Sequence, residues 1–242
     1  MTSRTHPQQM PVGLDLAIVE RSARATTAFA LGPSREQPDR HRRLRLAAAA
    51  LGVADGSVAW VRQVHGSDLS EVGAADVDCV ADADGLVTSC TSHALAVWTA
   101  DCVPMLVAGR SAVAAVHAGW RGCVAGIVER AIERLRDGYA EDPADLDIRL
   151  GPAIGMDHYE VGPEVVDALV RHAGGVGAWL GAGSRVDLRV FVRERAIARG
   201  ARPERVAMVG GCTSCDPASA SHRRDGALAG RQWSMILRHP VT

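Results

Sequence analysis

The sequence predicts an α+β fold in which sheets and helices pack in layers within one domain. Strand-like and helix-like stretches are interleaved without regular βαβ spacing. Neither an internal repeat nor a linker divides the 242 residues. Hydrophobic residues make up 47% and charged residues 23% of the chain, as in an ordinary soluble globular protein. We therefore expect residues 1–242 to form a single domain with a sizeable core.

Composition excludes several classes of function. The net charge of −1 gives no reason to expect nucleic acid or an anionic membrane as a partner. All 27 basic residues are arginine, so lysine Schiff bases and the phosphate-loop lysine are excluded. The polar N-terminus lacks the apolar core of a signal peptide, and no apolar run is long enough to span a membrane. Six irregularly spaced cysteines do not resemble a disulfide framework, so we expect a cytoplasmic protein.

The first part of the chain contains few predicted elements. Residues 1–35 show no clear period and yield none. A helix is predicted over residues 39–51, with Gly52 as its C-terminal cap. Strands are predicted over residues 58–64 and 83–89. The first of these strands has three polar residues at or just after its end: Arg62, Gln63 and His65.

Two apolar runs, residues 94–108 and 112–116, predict buried strands that form a hairpin. A two-residue loop at Gly109-Arg110 suits a type II′ turn. This register places Cys102 directly opposite His117, whereas one extra loop residue would leave them diagonal neighbours. In either register a thiol and an imidazole meet at the open end of the hairpin.

The clearest helix spans residues 122–137, where apolar residues recur at helical spacing and Gly138 is expected to end the helix. Further elements complete the α+β pattern. They are a strand over 147–150, a helix over 163–172, a helix from an Asp187 cap to Arg199, a strand over 205–209 and a final strand behind a polar loop.

His65, Cys102 and His117 each lie at the end of an apolar run and could form one site. Catalytic zinc sites use three ligands of these types and keep one position open for water. Cys102 and His117 also fit a nucleophile and its general base. The spacing matches no short zinc-finger pattern, and each residue could instead be an independently satisfied polar group. Spacing alone does not decide between a zinc site, a nucleophile with its general base, and three independent polar groups.

The region near the C-terminus concentrates guanidinium groups and thiols. Arg223 and Arg224, followed by Arg231, could bind an anion or form a solvated surface. Cys212 and Cys215 form a lone C-x-x-C, which without a second pair predicts no structural zinc.

Several motifs occur in a fixed order along the chain. They are Arg62-Gln-Val-His65-Gly, Ala83-Asp-Gly-Leu-Val-Thr88, Thr99-Ala-Asp-Cys-Val-Pro104, Val116-His-Ala-Gly-Trp-Arg-Gly122, Gly151-Pro-Ala-Ile with Tyr159-Glu-Val-Gly162, and Ser221-His-Arg-Arg-Asp-Gly226 with Gly230-Arg-Gln232. Together they resemble the YfiH-like family, long labelled "laccase domain" or "multicopper polyphenol oxidoreductase" and later assigned as purine nucleoside phosphorylases with adenosine deaminase activity. The resemblance covers the chain from about Val58 to the C-terminus.

The resemblance implies a four-layer α/β/β/α sandwich with mixed sheets and one zinc ion, with copper as a possible alternative metal. It also implies phosphorolysis of adenosine, inosine, guanosine and methylthioadenosine, and deamination of adenosine. Purine nucleosides and phosphate would be the partners of a monomeric enzyme. The metal ligands implied are His65, Cys102 and His117.

Phosphorolysis needs groups that hold phosphate and groups that protonate the departing base. The residues that we expect to take part in catalysis are Cys102, His117, Arg62 and Glu160. For substrate and phosphate binding we expect Arg62, Arg121, Arg223, Arg224 and Tyr159.

Two departures from the family pattern bear on substrate range. The family usually opens with a Gly-rich loop and an Asn-Leu pair, but this chain contains no asparagine, so residues 1–35 match the family weakly. The family often has a cysteine before the Tyr-Glu pair, where this chain has His158.

Two other reactions compete with phosphorolysis. Cys102 with His117 could form a Cys–His hydrolase or amidase, and family members have been tied to editing of peptidoglycan precursors. A copper-dependent polyphenol oxidase would need paired H-x-H motifs, and the nine histidines contain none.

Overall fold

The structure is a computed structural model of the chain and describes residues 17–30, 37–53 and 56–240. Of the N-terminal segment that matches the family weakly, residues 1–16 and 31–35 lie outside these described residues. The part between them forms two strands that the sequence pattern did not predict. Their residues are small or mixed in character and the second strand is buried throughout, so no alternation marks it.

Within the described residues, one sheet has six strands in the order β1-β2-β12-β7-β3-β5. The pairs β7/β3 and β3/β5 are parallel and the others antiparallel. We call it the first sheet. Its strands are β1 (Ala17–Arg21), β2 (Ala25–Ala30), β3 (Val58–Arg62), β5 (Asp78–Asp82), β7 (Ala94–Thr99) and β12 (Gln232–Arg238).

The second sheet, again counted over the described ranges, has six strands in the order β11-β10-β8-β9-β6-β4. The two edge pairs, β11/β10 and β6/β4, are parallel, and the inner pairs are antiparallel. Its strands are β4 (Leu69–Glu71), β6 (Gly85–Thr88), β8 (Val103–Ala108), β9 (Val113–Ala118), β10 (Asp147–Leu150) and β11 (Val206–Met208).

Six α-helices lie in the described part of the chain. They are α1 (Gln37–Ala50), α2 (Trp120–Val124), α3 (Ile127–Tyr139), α4 (Pro163–Ala173), α5 (Leu188–Ala198) and α6 (His222–Asp225). Pro163 begins α4, and the Asp187 carboxylate caps α5 by accepting from the backbone N–H groups of Arg189 and Val190. No helix described here combines the length and apolar character needed to cross a membrane.

The helices and the two sheets form four layers, with an apolar interface between each layer and the next. Leu44 and Ala48 of α1 pack against the outer face of the first sheet, beside Trp60 and Trp98. The inner faces of the two sheets pack together, with Phe29, Leu95 and Ile236 against Leu86, Leu106 and Ala115. The outer face of the second sheet is covered by α3, α4 and α5. The predicted α/β/β/α sandwich with mixed sheets is confirmed.

The predicted hairpin is only partly correct. The run over residues 94–108 is two strands, β7 and β8, which belong to different sheets because the chain crosses between them at residues 100–102. The loop from β8 to β9 is also longer than two residues, so Pro104 lies opposite His117. Cys102 therefore precedes β8 instead of lying within a paired strand. The thiol still reaches His117, but from the crossover.

The predicted helix over residues 122–137 is two helices. A break at Gly126, whose φ is +87°, separates α2 from α3. The buried stripe of α3 is as predicted: Ile127, Val128, Ala131, Ile132 and Leu135. Gly138 does not end this helix, which continues to Tyr139 and is capped by Ala140 in the left-handed region.

A buried carboxylate joins the three helices that cover the second sheet. Glu129 of α3, 3% exposed, accepts hydrogen bonds from Arg195 of α5 at 2.8 Å and from His172 of α4 at 3.0 Å. Burial raises the pKa of Glu129, but the hydrogen bonds from Arg195 and His172 outweigh it and leave the pKa below its ordinary value. The ion pair therefore fixes how the helices pack.

Glu129→Gln is expected to destabilise the fold by about 3 kcal/mol, because it removes the charge that compensates the Arg195 guanidinium in a poorly solvated place. The pKa of Glu129 is lowered by folding, so its contribution is complete above the unfolded pKa and is lost as the pH falls through the folded pKa. Urea unfolding of both proteins at neutral and acidic pH measures this. Glu133→Gln, one turn further along α3 and partly exposed, is the matched control and should cost less than about 0.5 kcal/mol.

Candidate active site

Two histidines and a cysteine converge at one end of the sandwich. His65 follows β3 of the first sheet, Cys102 lies on the crossover between the sheets, and His117 is near the end of β9 in the second sheet. The ligand atoms of these three residues all lie within 4.8 Å of one another. The rings of His65 and His117 stand nearly perpendicular, with their centroids 4.9 Å apart. The structure thus brings together the three residues whose role, as metal ligands or as a nucleophile with its base, the spacing left open.

Asp84 holds this group in place. Its buried carboxylate accepts from Nδ1 of His117 at 2.8 Å, and from the backbone N–H groups of His65 at 2.9 Å and Gly66 at 2.6 Å. Its carbonyl oxygen accepts from the backbone N–H of His117 at 2.7 Å. Because Nδ1 of His117 donates to Asp84, Nε2 is the ring nitrogen left to face Cys102. Asp84 lies within the Ala83–Thr88 motif, but nothing in its residue type or position along the chain predicts this role.

Two glycines of the Val116–Gly122 motif are required by close packing. A Cβ on Gly119 would lie 3.1 Å from Sγ of Cys102 and 3.2 Å from the ring of His65. A Cβ on Gly122 would lie 2.7 Å from the backbone oxygen of Gly66, closer than real contacts allow. Any side chain at these positions would push apart the segments that carry the three residues.

Cys102 and His117 shift each other's pKa values. Burial raises the pKa of Cys102, but hydrogen bonds from His117 and His65 outweigh it and lower the pKa to about 6. Burial lowers the pKa of His117, but hydrogen bonds to Asp84 and Cys102 raise it to about 9. Between these pH values the pair is a thiolate and an imidazolium when no metal is bound.

A cavity of about 550 Å³ opens onto this group. Its size is within the range of sites that bind small molecules. Aromatic and cationic side chains dominate its wall. The lining residues are Val61, Arg62, Gln63, His65, Trp98, Ala100, Asp101, Cys102, His117, Trp120, Arg121, Ile154, Tyr159, Leu188, His222, Arg223 and Arg231.

Four of the predicted arginines line the cavity: Arg62, Arg121, Arg223 and Arg231. Arg62 is exposed and forms an ion pair with Asp82. Arg121 stacks over the ring of Trp120, with its guanidinium carbon 4.5 Å from the ring centroid. Arg223 stacks over Tyr159 at 5.2 Å and donates to the backbone oxygen of Glu160 at 2.9 Å. No carboxylate in the described residues pairs with the guanidinium of Arg121 or Arg223.

Two predicted site residues do not line the cavity. The guanidinium of Arg224 donates to the backbone oxygens of Thr213, Asp216 and Ser219, which holds the preceding loop together. The side chain of Glu160 is exposed outside the cavity, and its backbone pairs with Arg185. The dipeptide Tyr159-Glu160 turns its two side chains to different surroundings, so only the tyrosine faces the cavity.

Asp101 contributes to the cavity in a way that strand periodicity did not predict. Its φ of +84° marks the crossover, and its carboxylate accepts from Oγ1 of Thr213 and the backbone N–H of Arg223, both at 2.6 Å. These bonds tie the segment before Cys102 to the C-terminal loop. Backbone strain in a non-glycine residue often marks a functional site, and His65, with φ of +61°, shows it too.

The chain is similar in sequence and in fold to known proteins. A family model described as "Multi-copper polyphenol oxidoreductase laccase" matches residues 24–239. The chain belongs to this family.

A relative from Mycobacterium tuberculosis named purine nucleoside phosphorylase is 39% identical over 197 residues, which are 80% of this chain and 77% of that protein. One of the same name from Deinococcus radiodurans is 36% identical over 203 residues, or 83% and 77% of the two chains. The crystal structure of YlmD from Geobacillus stearothermophilus matches with a TM-score of 0.82 and 26% identity, covering 97% of this chain and 99% of the other. These relatives indicate a purine nucleoside phosphorylase-like enzyme.

The donor set suits a metal ion. One thiol and two imidazoles are ligands typical of zinc and copper, and Asp84 orients His117 as an outer-shell carboxylate orients a metal ligand. The close approach at Gly119 leaves the three side chains crowded around one point.

In metal-free protein, alkylation of Cys102 by iodoacetamide is expected to rise with a midpoint near pH 6, because the thiolate predominates above it. Quantitative mass spectrometry of the peptide that contains Cys102 would measure this. Asp84→Asn should move the midpoint upward, since it weakens the imidazolium beside the thiolate. The same peptide in denatured protein is the control and should titrate near about 8.5. Equal midpoints in the folded and denatured chains would contradict the assigned electrostatics.

Proposed function

We propose that the protein is a zinc-dependent purine nucleoside phosphorylase that cleaves adenosine, inosine, guanosine and methylthioadenosine and also deaminates adenosine. The main observation in favour of this proposal is a cavity lined by the Cys–His–His group, arginines and aromatic rings. It lies in a chain that is 36% to 39% identical to relatives named for this activity. In this proposal the enzyme is a cytoplasmic monomer, and its six free cysteines fit a reducing compartment.

Aromatic side chains provide a surface for the flat purine ring. Trp98, Trp120 and Tyr159 all line the cavity. Stacking on such rings contributes favourably whichever groups the purine carries, which fits a broad nucleoside range. Because Gln63 exchanges two hydrogen bonds with the backbone of Trp98, at 2.7 and 2.8 Å, the end of β3 holds this surface in position.

The arginines supply the phosphate site in this proposal. Arg121 and Arg223 lie on the cavity wall without a carboxylate partner among the described side chains, and Arg62 is available after exchange with Asp82. One guanidinium group can donate two parallel hydrogen bonds to the oxygens of a phosphate. Its positive charge stabilises the negative charge of the phosphate next to the oxocarbenium-like carbon of the nucleoside. Arg224, which braces its own loop, is not assigned to phosphate.

Tyr159 takes the role for which Glu160 was predicted. Burial raises the pKa of Tyr159 well above its ordinary value, so its hydroxyl stays protonated at neutral pH. It can therefore donate a hydrogen bond to the departing base or to the ribose.

His65, Cys102 and His117 would hold the zinc ion in this proposal. When bound, zinc supplies Lewis-acid chemistry that polarises oxygen and lowers the pKa of water. The protein's own contribution is orientation: Asp84 keeps the proton on Nδ1 of His117, and Asp101 fastens the crossover beside the cavity.

One observation favours a second function, hydrolysis of an amide such as a peptidoglycan precursor. With no metal bound, Cys102 and His117 would form a thiolate–imidazolium pair, as in cysteine hydrolases. A metal-bound thiolate is not a free nucleophile, so metal content separates the two reactions. Copper-dependent oxidation of polyphenols is the third candidate. It is supported by the name of the family model and by a Cys–His–His donor set that copper can also use.

Purified protein of known metal content, incubated with adenosine or inosine, is expected to release free base only when phosphate is present. Inosine formed from adenosine without phosphate would establish deamination. Chromatography of the products measures both reactions. If neither free base nor inosine appears and the wild type and Cys102→Ala behave alike, the nucleoside hypothesis is wrong.

Arg223→Gln is expected to raise the KM for phosphate about 10-fold to 100-fold, the effect of losing a charge-assisted hydrogen bond of about 1.5–3 kcal/mol. Initial rates over a phosphate series measure this. Arg136→Gln, on the exposed face of α3 and paired with Asp137, is the matched control and should leave the KM unchanged. Equal effects of both substitutions would remove Arg223 from the phosphate site.

A further inference from the structure

A second group of metal-binding side chains lies on the surface near the cavity. It contains His158, Cys212 and Cys215, whose ligand atoms all lie within 4.8 Å of one another. Nδ1 of His158 is 3.7 Å from Sγ of Cys212 and 3.6 Å from Sγ of Cys215. We call these three residues the second cluster. The C-x-x-C pair is therefore not alone, since its third member comes from a distant part of the chain.

The backbone around the second cluster is organised to hold a thiolate at Cys212. The backbone N–H of Gly155 donates to Sγ of Cys212 at 3.1 Å. Such N–H···S bonds stabilise the thiolates of metal sites and orient them. The turn that contains the two cysteines is anchored by the bridge between Ala153 and Cys212.

Two alternatives are weaker on these observations. A disulfide between Cys212 and Cys215 would leave the histidine placed between both sulfurs without a role. A chance surface group would not account for one imidazole nitrogen placed 3.6 to 3.7 Å from both sulfurs together with a backbone amide that donates to one of them. Two thiolates with one imidazole are a donor set that selects zinc among the common cations, with water in the remaining position.

We propose that His158, Cys212 and Cys215 bind a second zinc ion, separate from the Cys102 group. Binding replaces the two thiol protons, which are released to solvent. The ion fastens the segment over residues 155–159 to the turn over residues 212–216.

Both segments carry contacts of the cavity. Tyr159 follows His158 directly, and the backbone oxygen of His158 accepts from Arg223 at 3.4 Å. Thr213, between the two cysteines, is fully buried and donates to Asp101 at 2.6 Å. A metal at the second cluster would thus fix the wall of the cavity without entering it.

The test measures metal content and does not depend on enzymatic activity. Full-length protein, purified under reducing conditions, is analysed for zinc per chain by mass spectrometry. Cys212→Ser/Cys215→Ser and His158→Ala should each contain one zinc fewer than the wild type. His158→Cys, which restores a ligand, should keep the wild-type content. Cys79→Ser, at an exposed cysteine that belongs to neither group, is the matched control and should also keep it.

A Cys102→Ser background separates the second cluster from the first site. Cobalt added to this metal-free variant should still give thiolate-to-cobalt charge-transfer absorption, and adding Cys212→Ser/Cys215→Ser should abolish it. Circular dichroism confirms that each variant is folded. The proposal is overturned if the zinc content does not change in the second-cluster variants, if cobalt gives no such absorption, or if reduced preparations contain a Cys212–Cys215 disulfide. None of these outcomes bears on nucleoside cleavage.

Discussion

The hydrogen bonds of the Asp84 carboxylate are the interaction on which the candidate active site depends. Asp84 immediately precedes β6 of the second sheet, yet it accepts from backbone N–H groups of the segment that follows β3 of the first sheet. The same carboxylate fixes the ring of His117. One fully buried charge therefore joins two sheets and orients two of the three members of the Cys–His–His group. Its burial is tolerable because each carboxylate oxygen accepts two hydrogen bonds.

Much of this arrangement could be predicted from the sequence, but the limits are physical. Strands and helices with a strong period, such as β10 and α4, are where the pattern places them. The run over residues 94–108 was misleading, because a chain that crosses between two buried sheets is apolar on both sides of the crossing. β1 and β2 were missed because neither shows the alternation that marks a half-buried strand.

The members of the site were easier to predict than their supports. His65, Cys102 and His117 have side chains whose chemistry is visible in a sequence, whereas Asp84 is one carboxylate among 28 acidic residues and acquires its role only through packing. Glu160 illustrates the converse error. A reactive residue type beside Tyr159 attracted a catalytic role, although the backbone turns its side chain away from the cavity. The residue type therefore suggests candidate site residues, and the fold determines which of them face the cavity.

The crossover at residues 100–102 has a consequence for how the molecule comes apart. The Cys–His–His group takes His65 from one sheet and His117 from the other, so it exists only while the two sheets remain in face-to-face contact. A ligand that spans the group binds the closed sandwich and has no comparable site on a chain whose sheets have separated. By linkage, its binding energy is added to the free energy that holds the sheets together. Amide hydrogens in the layer between the sheets should then exchange as one cooperative unit, at a rate set by occupancy of a site at the edge of that layer.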